Sequence, residues 1–141
     1  MAQRLFPFLG YEDAAAAIDW LCAAFGATEN TAARHTEADD TVTHAELDLD
    51  GSTIFLSTPA GYTGSRNHRQ SCEIERRMHD NPWVIDGLFV EVEDVDAHHA
   101  RAVEAGATVI REPEEPGIGH RIYTAEDLEG HRWMFGQRLG G

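Results

Sequence analysis

Asp127-Leu128-Glu129-Gly130, near the C-terminal end of the chain, repeats Asp48-Leu49-Asp50-Gly51 at an offset of 79 residues. Working back from each copy, Gly106-Ala107-Thr108 repeats Gly26-Ala27-Thr28 at an offset of 80. Further back, Val92-Glu93-Asp94 answers Tyr11-Glu12-Asp13 at 81. Three landmarks in the same order at nearly constant spacing define an internal duplication. The halves run roughly from 3 to 58 and from 85 to 138.

Each half reads the same way. A short apolar strand opens it, Leu5–Leu9 or Leu88–Val92. An acid follows, Asp13 or Asp94, where a carboxylate satisfies the free N–H groups and dipole of a helix start. The first helix carries Ala14, Ala17, Ile18, Leu21, Cys22 and Phe25 at helical spacing; the second carries Val95, His99, Ala102 and Val103. Gly26 and Gly106 stop the helices, since glycine enters the left-handed cap conformation without strain. Three strands follow, predicted over 28–35, 42–49 and 53–58, and over 107–112, 119–125 and 131–138. The Asp-Gly and Glu-Gly pairs supply the turns before the last strands. The predicted fold is α+β: two tandem βαβββ modules, 1–58 and 85–141, joined by a connecting segment, 59–84. That segment is rich in Gly, Ser, Arg, His and Asn at its start, and Cys72–Met78 suits one or two helical turns. It is long for a connection, which fits a cover over a pocket or a partner subunit as well as a plain linker.

Composition narrows the function classes. The 141 residues are 42% hydrophobic, enough for a core, and carry a formal net charge of −14. Such a surface repels a phosphate backbone, so no nucleic-acid partner is expected. It serves solubility, or it attracts a cationic ligand. No continuous apolar run of about 18 residues exists, so no membrane span is expected. The first residues lack the basic, apolar and cleavable pattern of a secretion signal, and a cytoplasmic protein is the expectation. Cys22 and Cys72 make no disulfide framework, and Cys22 reads as a small core residue. Gly61-Tyr62-Thr63-Gly64-Ser65 lacks the lysine and helix of a phosphate loop, and Gly64-Ser65 lacks the second glycine of a nucleophile elbow.

The duplicated βαβββ unit, the helix caps and the ending Asp127-Leu128-Glu129-Gly130-His131-Arg132-Trp133-Met134-Phe135 resemble the vicinal oxygen chelate superfamily. This group holds glyoxalase I, extradiol dioxygenases, fosfomycin-resistance enzymes and bleomycin-resistance proteins. Leu128 stands where the family ending has proline. The resemblance covers nearly the whole chain outside the connection. It implies a cupped mixed sheet with helices on the outer face and a ligand on the concave face. It also implies a homodimer, and a metal in many members.

The resemblance places metal ligands on the first and last strand of each half. Counting four residues on from each turn glycine gives Phe55 and Met134; counting seven back from each capping acid gives Phe6 and Gly87. These cannot hold a hard divalent ion, and a methionine thioether is too soft for the metals this family uses. Their neighbours Leu5, Pro7, Ile54, Leu56, Leu88, Trp133 and Phe135 offer no ligand either. No metal and no cofactor is therefore expected.

Strand alternation, set to the same register, predicts the pocket residues. They are Phe6 and Phe8 on the first strand, His44 and Glu46 on the third, and Phe55 on the fourth, with Ser57 beyond it. The second half gives Phe89 and Glu91, Arg121 and Tyr123, then Arg132 and Met134. The opposite parity is almost wholly apolar, as a helix-covered face must be. Aromatic walls with sparse polar groups make a small-molecule site. Glu91, Glu46 and His44 are the candidates for proton transfer or for holding a cation, unless Arg121 and Arg132 neutralise them. Three functions follow. One is a small-molecule-binding protein of the bleomycin-resistance type, sequestering a cationic or aromatic compound. Another is a lyase- or isomerase-type enzyme with a Glu or His base, and the third an interaction module whose cup is filled. The sequence does not decide whether the protein is an enzyme.

Overall fold

The computed structural model describes residues 2–81 and 86–140. The expected join between connection and second module, at 84 and 85, lies outside the described residues, as do the two terminal residues. The chain divides into two compact units, Met1–Gly64 and Ser65–Gly141.

In the first unit, strand β1 (Phe8–Gly10) leads into helix α1 (Ala14–Phe25). Short strands β2 (Thr28–Glu29) and β3 (His35–Thr36) follow, then β4 (Val42–Leu49) and β5 (Ser52–Ser57). The sheet order is β1-β5-β4-β2, with β3 also on β4. β1 runs parallel to β5, a pairing that needs a crossover, and α1 supplies it. The opening strand starts three residues later than predicted, because Pro7 has no N–H to give the ladder; its carbonyl still accepts from Phe55 N at 2.8 Å. The strand predicted over 28–35 is broken by a 3₁₀ turn at Thr31–Ala33. Ala32 and Ala33 have little strand preference, and no alternating face holds them in register.

α1 forms as expected. Asp13 accepts from Ala16 N at 3.0 Å, and Gly26 closes the helix at φ 73°. Ala14, Ala17, Ile18, Leu21, Ala24 and Phe25 are buried, as are Leu47, Ile54 and Leu56 on the sheet. Burying a side chain such as Ile18 or Leu21 contributes about 1.5–3 kcal/mol. Cys22 is only half-buried, so it belongs to the edge of the core rather than its centre.

The second unit begins with two short helices, α2 (Ser65–Ser71) and α3 (Glu73–His79), within the stretch expected to connect the modules. Then come β6 (Leu88–Glu91), α4 (Val95–Glu104), β7 (Thr108–Glu114), β8 (His120–Glu126) and β9 (Arg132–Arg138). The order β6-β9-β8-β7 repeats the first unit, with β6 parallel to β9. The duplication is register-true: Phe8 opposes Phe55, and Phe89 opposes Met134. Asp94 caps α4 through Ala97 N at 3.0 Å.

The core of this unit is aromatic. Trp133, Phe135 and Tyr123 are at most 1% exposed. Tyr123 stacks on Phe135 at 5.3 Å, and the ring of His98 lies 4.1 Å from Phe135. Asp127, 1% exposed, organises the β8–β9 turn. One of its oxygens accepts from the N–H of Glu129, Gly130 and His131; the other accepts from Trp133 Nε1 at 3.0 Å. Asp127→Ala removes a side-chain acceptor from four donors, one of them an indole N–H in the core. It is expected to destabilise the second unit by roughly 2–4 kcal/mol, read as a lower urea midpoint at unchanged slope. Asp48→Ala, in the corresponding turn, should cost well under half as much, because Asp48 is exposed and, among the described residues, its carboxylate accepts only from Gly51 N.

Candidate functional site

One face of the first module's sheet carries the aromatic residues. Phe6 and Phe55 stack at 5.0 Å with planes 9° apart. Phe8 meets Phe55 edge-on at 6.2 Å, and His44 meets it edge-on at 5.0 Å. His35 lies 6.1 Å from His44. Glu46 stands directly across from Phe55 in the ladder, so the two share a face, and its carboxylate is 3.2 Å from His44 Nε2. Phe8, 57% exposed, and His35 are exposed, and the rings of Phe6, His44 and Phe55 are half-buried. The guanidinium of Arg4 lies 4.9 Å over the Phe6 ring. The face therefore already accommodates a planar cation on an aromatic surface.

In the second module Phe89, Glu91, Arg132 and Met134 share one face, as expected. Phe89 lies over Gly136, where any side chain would run into its ring. Glu91 pairs with His120 at 3.2 Å and Arg138 at 2.9 Å, not with Arg121 or Arg132. Hydrogen bonds from those two partners hold its carboxyl below the ordinary value. Glu91 is thus a fixed charge and a weak base.

Arg121 and Tyr123 lie on the opposite, helix-covered face. Tyr123 opposes Phe135 and is fully buried; its hydroxyl is 2.6 Å from His98 Nδ1 on α4, and burial pushes its ionisation up. Arg121 pairs with Asp96 of α4 at 3.0 Å. The observed alternation of β8 is one residue out from the expected one, and a one-residue slip changes the face of every side chain. With the ladder correct, Thr124 and Glu126 fall on the face of Met134 and Arg132.

That correction exposes a site the sequence reading missed. Glu126, 4% exposed at its side chain, takes Arg69 at 3.0 Å and His79 Nε2 at 2.8 Å. Arg66 donates to the carbonyls of Leu128 and Asp127. Arg132 donates to the carbonyls of His79 and Asn81, closing the end of α3. His79 Nδ1 faces Arg69 at 2.7 Å and Arg132 at 3.1 Å, so it accepts from both while Nε2–H donates to Glu126. A pocket of about 210 Å³ opens beside this knot, lined in part by Ser65, Arg69, His79 and Arg132. A signal was present: Arg66 and Arg69 share a helix face at i, i+3, and a carboxylate on a strand whose neighbours are all buried requires such partners.

Metal fit can be judged from the donors. Phe6 is stacked against Phe55, and Met134 opposes Phe89, so these positions offer no hard ligand. Among the described residues no group of three or more His, Cys, Asp or Glu is placed to hold a metal ion. The residues present do not fit the family's metal. Among the described residues no helix is long and apolar enough to cross a membrane.

Comparison with known proteins agrees with this architecture. The family model of the Glyoxalase/Bleomycin resistance protein/Dioxygenase superfamily matches residues 7–135. The uncharacterized protein Mb0911c of Mycobacterium bovis is 34% identical over 137 residues, spanning 94% of this chain and 82% of that one. The crystal structure of TioX from Micromonospora sp. ML1 superposes with a TM-score of 0.68 at 29% identity, covering 99% of this chain and 98% of TioX. Glyoxalase I from Zea mays shares the fold, with a TM-score of 0.70 at 17% identity over 98% of this chain and 45% of its own.

Burial, more than the flanking arginines, keeps His79 below its ordinary value near 6.5, despite Glu126. Below that pH the unfolded chain takes up a proton that the folded chain resists, so the attachment of α2–α3 is complete above pH 6.5 and weakens as pH falls. Hydrogen exchange of the α2–α3 amides, corrected for intrinsic rates, should show more frequent opening at pH 5.5 than at 7.5. His79→Gln should abolish the difference.

Proposed function

Because this chain belongs to the Glyoxalase/Bleomycin resistance protein/Dioxygenase superfamily and its first module presents an aromatic face with the Glu46 carboxylate among its rings, we propose that it binds a small, flat, cationic compound on that face. The observation that carries the reading is the Phe6–Phe55 stack, flanked by Phe8 and His44, with Glu46 beside it. The rings supply stacking area, worth about 1–3 kcal/mol per ligand ring. Glu46 supplies the opposite charge, and the net charge of −14 raises the local concentration of a cation. The absence of hard ligands at Phe6, Phe55, Gly87 and Met134 supports binding without a metal. In this reading the protein sequesters its ligand, acts in the cytoplasm and works as a homodimer, as the family resemblance implies. Light scattering checks the last point.

The test is calorimetric titration with proflavine as the planar cation. Micromolar or tighter binding is expected and should persist in chelator. Phe55→Ala should weaken it about tenfold or more, and Glu46→Gln by a smaller factor that shrinks with added salt. Failure of a panel of planar cations to bind would falsify the proposal.

A second reading draws on the His44–Glu46 contact, since a carboxylate that orients an imidazole can serve proton transfer. It predicts a pH–rate limb that Glu46→Gln removes while Glu91→Gln leaves it in place.

A further inference from the structure

The pocket of about 210 Å³ beside the α2–α3 knot lies within the second unit, and the aromatic face does not use it. It is too small for a drug-sized molecule, whose sites run to about 300–1,000 Å³. Its lining divides by charge. Arg69, Arg132 and the Ser65 hydroxyl supply donors; Glu75 and Asp86 supply acceptors, and the Met78 thioether adds an apolar patch.

One neutral atom brings the two guanidiniums together. Both donate to His79 Nδ1, Arg69 at 2.7 Å and Arg132 at 3.1 Å. A neutral nitrogen orients them without cancelling their charge. Glu126 makes its ion pairs with Arg66, Arg69 and His79, whereas the carbonyls of His79 and Asn81 anchor Arg132. Asp127, the other buried carboxylate here, is turned to backbone N–H groups and an indole. Three guanidiniums thus stand against two carboxylates, a positive excess in a chain of net charge −14. Burial, with Arg69 beside it, holds Arg132 below its ordinary value despite Glu126, and a carboxylate arriving from solvent relieves that. Gly130 leaves the fork its place, since a Cβ there would stand 3.0 Å from Arg69 Nη2.

The opposite charge sits on the same lining. Glu75 is half-buried and Asp86 exposed, and among the described residues neither forms an ion pair. A simple anion gains at the arginines but loses at these carboxylates and in the field of the whole chain. A simple cation does the reverse. A small molecule with both charges close together satisfies both sets and has no net charge for the field to repel. Its apolar part meets Met78, whose thioether adapts to irregular shapes.

We infer that this pocket binds an aliphatic α-amino acid as its zwitterion, the carboxylate on Arg69 and Arg132 and the ammonium facing Glu75 and Asp86.

Calorimetry with L-leucine tests this against two molecules of the same skeleton: 4-methylpentanoate, which lacks the ammonium, and 3-methylbutylamine, which lacks the carboxylate. One leucine per chain at roughly millimolar affinity or tighter is expected, with each analogue about tenfold weaker or more. Glu75→Gln should weaken leucine about fivefold and leave 4-methylpentanoate unchanged or tighter, because a repelling charge is gone. Glu73→Gln removes the same charge from an exposed position at the start of α3, outside the lining, and should change leucine affinity less than about twofold. Arg132→Lys keeps the charge but loses the fork, and should weaken leucine and 4-methylpentanoate alike. Should that variant disturb the knot, the Glu75→Gln arm still decides. Equal binding of 4-methylpentanoate or of 3-methylbutylamine overturns the zwitterion, as does equal weakening by Glu73→Gln. No leucine binding up to about 10 mM removes the site altogether. Phe55→Ala should leave leucine binding intact while impairing proflavine binding, so the two sites fail independently.

Discussion

Register is the constraint on which the rest of the second module depends, and Asp127 fixes it. By gathering three successive backbone N–H groups and the Trp133 indole, this carboxylate sets where β8 turns into β9. Glu126 then opposes Arg132, Thr124 opposes Met134, and Tyr123 opposes Phe135. One parity buries three aromatic residues under α4. The other presents Met134, Arg132 and Phe89. The first module meets the same demand with less: Asp48 is an exposed acceptor for one N–H, and the apolar run Ile54 and Leu56 under α1 holds the ladder.

Much of this was legible. The three repeated landmarks gave the βαβββ order, both N-caps and the position of the last strand in each half, because turn and cap residues act locally. Alternation read the faces of β4, β5, β6 and β9, where apolar and polar positions separate cleanly. It failed on β8, where Ile122 through Glu126 are all buried. A strand covered on both sides carries no period-two signal, so only its partner strand reveals the face. Tyr123 and Arg121 were misplaced for that reason, and Glu126 was overlooked. The pairing of Glu91 with His120 and Arg138 was out of reach too, since it depends on which strand lies beside which.

The two modules began as copies and differ in what their equivalent faces carry. The first keeps Phe6, Phe8, Phe55 and His44 beside Glu46, and the second sets Met134 opposite Phe89 and lays Phe89 on a glycine. Fold similarity to a glyoxalase extends to the backbone, while the donors that would make a metal centre are not among these side chains. Function in such a fold resides in the residues grafted on it.

The helices α2 and α3 are tied to their module by Arg66, Arg69, Arg132 and His79. All eleven Lys-plus-Arg positions in the sequence are arginine. The guanidinium suits the task, since it donates to two carbonyls at once and keeps its charge at any physiological pH. It also means that acetyl transfer and amine-directed crosslinking find no side-chain amine in the sequence. The ties that hold this hairpin are therefore beyond the reach of lysine-directed modification.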